Sequence, residues 1–144
     1  MTASLLNKEG RALAPAAKEI TVSVVQRGGR ILLLRRREDK QFDPGRWEFV
    51  SGFVKGAGSL QEQARAQAAF ETGLQPRLEK EGAAFEVHDE YGAWNIHPFL
   101  FSAGAGDVRI PKEDHTEFRW VRPDGLARFD CVKELERNLK SLGL

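Results

Sequence analysis

The apolar positions of this chain fall into short runs broken by glycine and proline. Ile20 to Val25 is a β-branched run and predicts a strand. Arg27-Gly28-Gly29-Arg30 is a turn signal, and Ile31 to Leu34 is apolar on both alternating faces, as in a buried strand. Together they predict a hairpin. Asp43-Pro44-Gly45 predicts a turn, and Trp47 to Phe53 a short strand running into a loop with Gly52, Gly56 and Gly58. Ser59 then offers a helix cap, with Glu62 at capping-box spacing. The helix is expected over Leu60 to Thr72, with Gly73 as its stop. Residues 84–91 and 94–102 predict two strands split by Gly92, and Phe118 to Val121 predicts another. Val132, Leu135, Leu139 and Leu142 form a helical stripe near the end. Residues 1–18 are mixed, with Gly10 and Pro15, and read as a lead-in to a domain over 19–144. The order of strands, helix, strands, helix predicts an α/β sandwich with a mixed sheet between helices.

Composition narrows this picture. A length of 144 residues predicts one domain with a real core, and leaves no room for an added DNA-binding domain. Lys and Arg total 22 against 21 Asp and Glu, so no global charge favours nucleic acid or an acidic membrane surface. The single cysteine, Cys131, excludes an internal disulfide and a Cys-rich metal site and fits a reducing, cytoplasmic home. No apolar run reaches the length of a membrane span, and no signal-peptide order is seen. A homodimer is left open.

Residues 47–74 read WEFVSGFVKGAGSLQEQARAQAAFETGL. This stretch resembles the Nudix box, G-x5-E-x7-R-E-U-x-E-E-x-G-U with U a bulky apolar residue, laid on without a gap from Gly52 to Gly73-Leu74. Gly58 stands at the first Glu position, Ala66-Gln67 at the Arg-Glu pair and Phe70-Glu71 at the Glu-Glu pair. Only Glu71 remains of the four box carboxylates. The opening ITVSVVQRGGRILLLRRR resembles the family's first hairpin, Trp47-Glu48-Phe49 its entry to the box, and TEFRWVRP its late strand. The resemblance implies a Nudix-like α/β/α sandwich with a mixed β-sheet. It also implies an origin in metal-dependent hydrolysis of a nucleoside diphosphate linked to another group, with Mg²⁺ or Mn²⁺ held by box carboxylates.

A hard divalent cation needs several oxygen ligands to sit correctly against pyrophosphate. At 100° per residue, Gln67 and Glu71 share a helix face with Leu60, Ala64 and Ala68, while Glu62 and Arg65 lie opposite. Glu71 therefore reads either as a residual metal ligand or as a buried carboxylate with a basic or amide partner. Glu113, Asp114 and Glu117 lie where many Nudix enzymes place a later carboxylate; Glu117 joins Glu71 as a metal candidate, and a solvated acidic turn is the plainer alternative. Arg35, Arg37 and Arg46 are candidates for phosphate, with Arg36 beside them, against the plainer reading of solvated strand ends. Gly52, Gln67 and Trp94 complete the candidate ligand site; Trp94 and Phe99 could stack on a base, though such residues are more often core, and His97 reads as a satisfied core histidine. Three functions follow: a nucleotide-like ligand bound with little or no hydrolysis and weak divalent metal; a working hydrolase using Glu71 with carboxylates outside the box; or a non-catalytic module for protein or RNA.

Overall fold

A computed structural model describes residues 17–144; residues 1–16, and with them most of the lead-in segment, lie outside the described residues. Eight strands form one mixed sheet: β1 (Lys18–Arg27), β2 (Arg30–Arg36), β3 (Trp47–Glu48), β4 (Val50–Phe53), β5 (Arg77–Glu81), β6 (Phe85–Asp89), β7 (Gly92–Ser102) and β8 (His115–Val121). Helix α1 (Leu60–Thr72) follows β4, and α2 (Leu135–Ser141) ends the chain. β1 lies inside the sheet, parallel to β7 over Lys18 to Gln26 and antiparallel to β4 on its other side. β2 continues from the β1 hairpin and pairs with β8 and β3.

Each face carries its own core. Val22, Val24, Ile31, Leu33, Trp47, Phe49 and Ile96 meet Leu126 and the α2 residues Leu135 and Leu139. Val25, Leu32, Leu34, Val50, Phe99 and Phe101 meet α1 through Ala64 and Ala68. Two alanines on the contact stripe let the helix lie close: the Ser23 hydroxyl donates to the Ala64 carbonyl at 3.4 Å. A Cβ at Gly52 would come within 3.2 Å of the Gln67 side chain. Gly52 therefore keeps β4 and α1 in contact at the box.

Helix α1 has the predicted limits. The Ser59 hydroxyl accepts from the Glu62 amide at 3.0 Å. Glu62 does not complete the capping box; its carboxylate turns to Arg65 on the solvent side. The predicted single strand over 47–53 is broken at Phe49 into β3 and β4, which pair with β2 and β1 respectively. Three further differences have physical causes. β5 was not predicted, because its five residues are all exposed and carry no apolar alternation; it exists as an edge strand on β7. A 3₁₀ turn over Pro123–Arg128 starts where Pro123 presets the first helical φ, and is too short to carry a helical stripe in the sequence. The terminal helix begins only at Leu135, after Glu134 adopts a left-handed φ of 77°, so Val132 packs from outside it.

Gly73 closes α1 with φ 71°, its amide donating to the Ala69 carbonyl. A Cβ there would meet Arg109 at 2.9 Å, and the Arg109 amide donates to the Thr72 carbonyl at 2.7 Å. Gly73→Ala is therefore expected to destabilise the fold by about 1–2 kcal/mol for the left-handed backbone alone. Urea unfolding measures this; an unchanged midpoint would mean that the 107–110 segment and the helix end relax without cost.

Candidate functional site

Glu71 is 4% exposed and points into the protein from the last turn of α1. Its Oε1 accepts from the Gln67 amide nitrogen at 3.0 Å, one helical turn earlier. Its Oε2 lies 3.2 Å from Nδ1 of His115, too poorly aligned for a good hydrogen bond but an ion-pair contact. His115 is itself 4% exposed, and its Nε2 lies 2.7 Å from Oε2 of Glu48. Arg36 Nη1 then donates to both Glu48 oxygens at 3.1 and 3.2 Å. The result is a chain of Arg36, Glu48, His115 and Glu71 in which charges alternate in sign, tied off by Gln67. With Nε2 hydrogen-bonded to Glu48 and Nδ1 facing the carboxylate of Glu71, the ring is favoured as imidazolium.

Local structure explains how the four meet. Glu48 sits between Trp47 and Phe49, whose rings face the α2 side, so strand alternation turns Glu48 toward α1. Leu34 opposes Glu48 in the β2–β3 register, and Arg36 continues that face. On β8, Glu117 opposes Arg35 but His115 opposes Arg36, so two steps on β8 match one on β2. This bulge at Thr116 re-aims His115 to the opposite face from Glu117.

The other sequence candidates are dispersed. Gly52, Gln67 and Glu71 come together on the α1 face. Glu117 does not join them; it lies on the other face, half-exposed, 3.3 Å from Arg35. Trp94 also lies on the α2 face, its indole nitrogen donating to Asp89 at 2.9 Å. Arg35 donates to the Gly45 carbonyl and pairs with Glu38. Arg37 is held by Asp39 and the Lys112 carbonyl, and Arg46 by Asp43 and Asp130. Asp114 is paired with Lys40, which holds its carboxyl below the usual range. His97 meets Glu19 at 2.5 Å and Phe99 is fully buried. His115 and Glu48, which build the site, were not singled out by sequence. The available signals were a polar residue between two core aromatics and a histidine inside the acidic turn.

As arranged, these residues do not fit a divalent cation. One Glu71 oxygen is taken by an amide and the other faces a cationic ring. Gly58, exposed on the loop, and Phe70, 65% exposed, bring no oxygen ligand from their side chains. Among the described residues no group of three or more His, Cys, Asp or Glu side chains is disposed to hold a metal.

Burial opposes the charge on His115, but hydrogen bonding and charge from Glu48 and Glu71 outweigh it and raise its pKa from 6.5 to about 9. A raised pKa stabilises the fold fully below the unfolded value and loses that stabilisation as pH climbs through the folded value. Unfolding free energy is therefore expected to fall between roughly pH 6.5 and 9, by at most about 1.4 kcal/mol per pH unit for this one proton. His115→Gln should be less stable at pH 6 and flatter over that window. Parallel curves for the two proteins in urea titrations would show that His115 is not charged in the folded state.

The comparisons with known proteins agree with the fold. Residues 17–141 match the family described as NUDIX domain. An uncharacterised Nudix hydrolase of Escherichia coli K12, YfcD, is 29% identical over 97% of this chain and 83% of its own. The nucleoside triphosphatase NudI of Escherichia fergusonii is 22% identical over 88% of this chain and 97% of its own. Among solved structures, a MutT protein from Methanosarcina mazei superposes with TM-score 0.72 at 20% identity, over 89% of this chain and 94% of that one. The NUDIX domain of Shewanella oneidensis NrtR, solved with ADP ribose, gives TM-score 0.73 at 14% identity, over 90% and 88%. Nudix enzymes typically use Mg²⁺ or Mn²⁺, and it is to the Nudix family that this chain belongs.

Proposed function

We propose that this Nudix-family protein binds a nucleotide or a nucleoside-diphosphate-linked ligand and hydrolyses it little or not at all. The observation that carries this reading is the placement of Glu71, the one carboxylate left at the box positions: it is buried, faces the His115 ring and accepts a hydrogen bond from Gln67. Phosphoryl transfer depends on positive charge fixed against the phosphates. A carboxylate committed to an internal imidazolium attracts no metal to supply that charge.

Ligand binding is supported by what the box loop leaves open. Gly56 has open space where a side chain would stand, beside the exposed Lys55, and at Gly58 only the end of Gln63 comes near, at 3.4 Å. Across the sheet from Glu71, on the α2 face, Phe53 at the start of this loop is 58% exposed, with Trp94 at 6.2 Å between ring centres and Lys18 over the Trp94 ring at 5.1 Å. Aromatic faces backed by a lysine suit a base and its phosphates. ADP ribose in the NrtR domain and the triphosphatase name of NudI lie in the same ligand class.

The test is a hydrolysis panel of nucleoside triphosphates, ADP-ribose and dinucleoside polyphosphates with Mg²⁺ and with Mn²⁺, alongside calorimetric binding. Binding without turnover is the expected result. Turnover on the order of 1 per second or more would overturn it; loss of that turnover in Glu117→Gln would mean that ligands outside the box serve. The absence of both binding and turnover would favour an interaction module.

A gain-of-metal experiment probes the same site. Gly58 has an ordinary backbone φ and its Cβ would meet only the end of Gln63, at 3.4 Å, so Gly58→Glu fits. Phe70 is exposed, so Phe70→Glu costs no core packing. Gln67→Glu exchanges an amide donor for a second carboxylate beside Glu71, a pair that repels unless a cation joins it. The triple variant should bind Mn²⁺ at least about 10-fold more tightly than the parent, the scale that supporting groups alone contribute. Equal affinity in a folded triple variant would mean that His115 keeps the site closed.

A further inference from the structure

The arginines nearest the box are each held by internal acceptors: Arg35 by Gly45, Glu38 and Glu117, Arg36 by Glu48, and Arg37 by Asp39. A different set stands at the opposite end of β2. Arg30, Arg122 and Arg128 line a pocket of about 490 Å³ whose apolar wall includes Trp120 and Phe129. Its one lining acid is Asp124, which contacts Arg122 at 3.5 Å with both side chains more than 70% exposed. Among the described residues, Arg30 and Arg128 make no ion pair and no side-chain hydrogen bond. Strand β2 runs seven residues, six steps, from Arg30 to Arg36, so the pocket lies about 20 Å along the sheet from the buried charge chain.

The fold gathers these residues firmly. Arg30 follows the Gly28-Gly29 turn, and the next pair along, Ile31 and Val121, is in register between β2 and β8. Arg30 and Arg122 therefore end adjacent strands side by side. The 3₁₀ turn that starts at Pro123 folds back and carries Arg128 to the same mouth. Arg27 braces the shelf: its guanidinium stacks on Trp120 at 5.1 Å and donates to the carbonyls of Gly104 and Gly106. Three guanidinium groups against one loosely held carboxylate give a local charge of +2 in a chain whose whole net charge is +1. Like charges gathered in a concave site raise the local potential for anions. Guanidinium forks match phosphate oxygens, and the volume is that of a small-ligand site.

We propose that this pocket is a second binding site, separate from the Nudix box, for a phosphate group carried on a planar ring, as in a nucleoside monophosphate or the terminal nucleotide of a single strand. The arginines take the phosphate and Phe129, which lines the pocket from the α2 side, takes the ring.

The test is two-dimensional NMR with the whole protein at 0.15 M salt, titrated with AMP, adenosine, inorganic phosphate and a 5′-phosphorylated short single-stranded oligonucleotide. AMP is expected to shift Arg30, Trp120, Arg122 and Arg128, and to bind more tightly than adenosine or phosphate. Arg30→Gln with Arg128→Gln should weaken AMP by about 10-fold or more while thermal melting is unchanged. Tighter binding of the oligonucleotide than of AMP would identify a nucleic-acid end as the source, and equal or weaker binding a free nucleotide. Shifts confined to 52–59 would place binding at the box and overturn the second site without touching the function proposed for the box. AMP affinity unchanged in the double variant, or equal affinity for adenosine, would also overturn it.

Discussion

Two carboxylates, the buried Glu71 and the largely covered Glu48, must each find a positive partner, and the protein meets both needs with one histidine and one arginine. Four elements supply the groups: β2 gives Arg36, β3 gives Glu48, β8 gives His115 and α1 gives Glu71. None of these charges is tolerable alone in the interior. Removing one partner of a buried pair typically costs about 3–5 kcal/mol, because the remaining charge is left without compensation. The relay therefore fixes how α1 sits on the sheet as firmly as Ala64 and Ala68 do, and it does so with direction, which apolar contact lacks.

The same relay changes what the box helix presents. In a metal-holding arrangement, carboxylates on α1 would face a cation and a ligand from solution. Here the bulge on β8 turns His115 under the helix, and its ring faces Glu71. Gln67 supports that placement, since an amide donates to Glu71 where a second carboxylate would repel it. These changes are mutually consistent: fewer acids on the helix match one internal cation beneath it.

The distribution of arginines follows a parallel division. Those of the β2 end and the loop after it are spent on intramolecular acceptors, which orders residues 36–46 next to the box. Those at the far end of β2 are spent on nothing comparable among the described residues. Sequence adjacency and functional availability thus separate: Arg35-Arg36-Arg37 looks like a phosphate grip, whereas Arg30, Arg122 and Arg128, scattered in the chain, form the open basic pocket.

The sequence by itself determined the elements whose causes are local. Ser59 and Gly73 mark α1 because a hydroxyl cap and a left-handed stop act within one turn. The β1–β2 hairpin is legible because Gly28-Gly29 supplies its turn and apolar runs flank it. The inward aim of Glu71 could be read from helical spacing alone. β5 could not, because its exposed charges carry no pattern and only the edge of β7 makes it a strand. The identity of Glu71's partner could not be read either: His115 lies 44 positions away and faces α1 only because a bulge interrupts β8 opposite β2. Alternation predicts faces only while register is unbroken, and register is set between strands that are far apart in the chain. Tertiary structure alone therefore decided that this carboxylate faces His115.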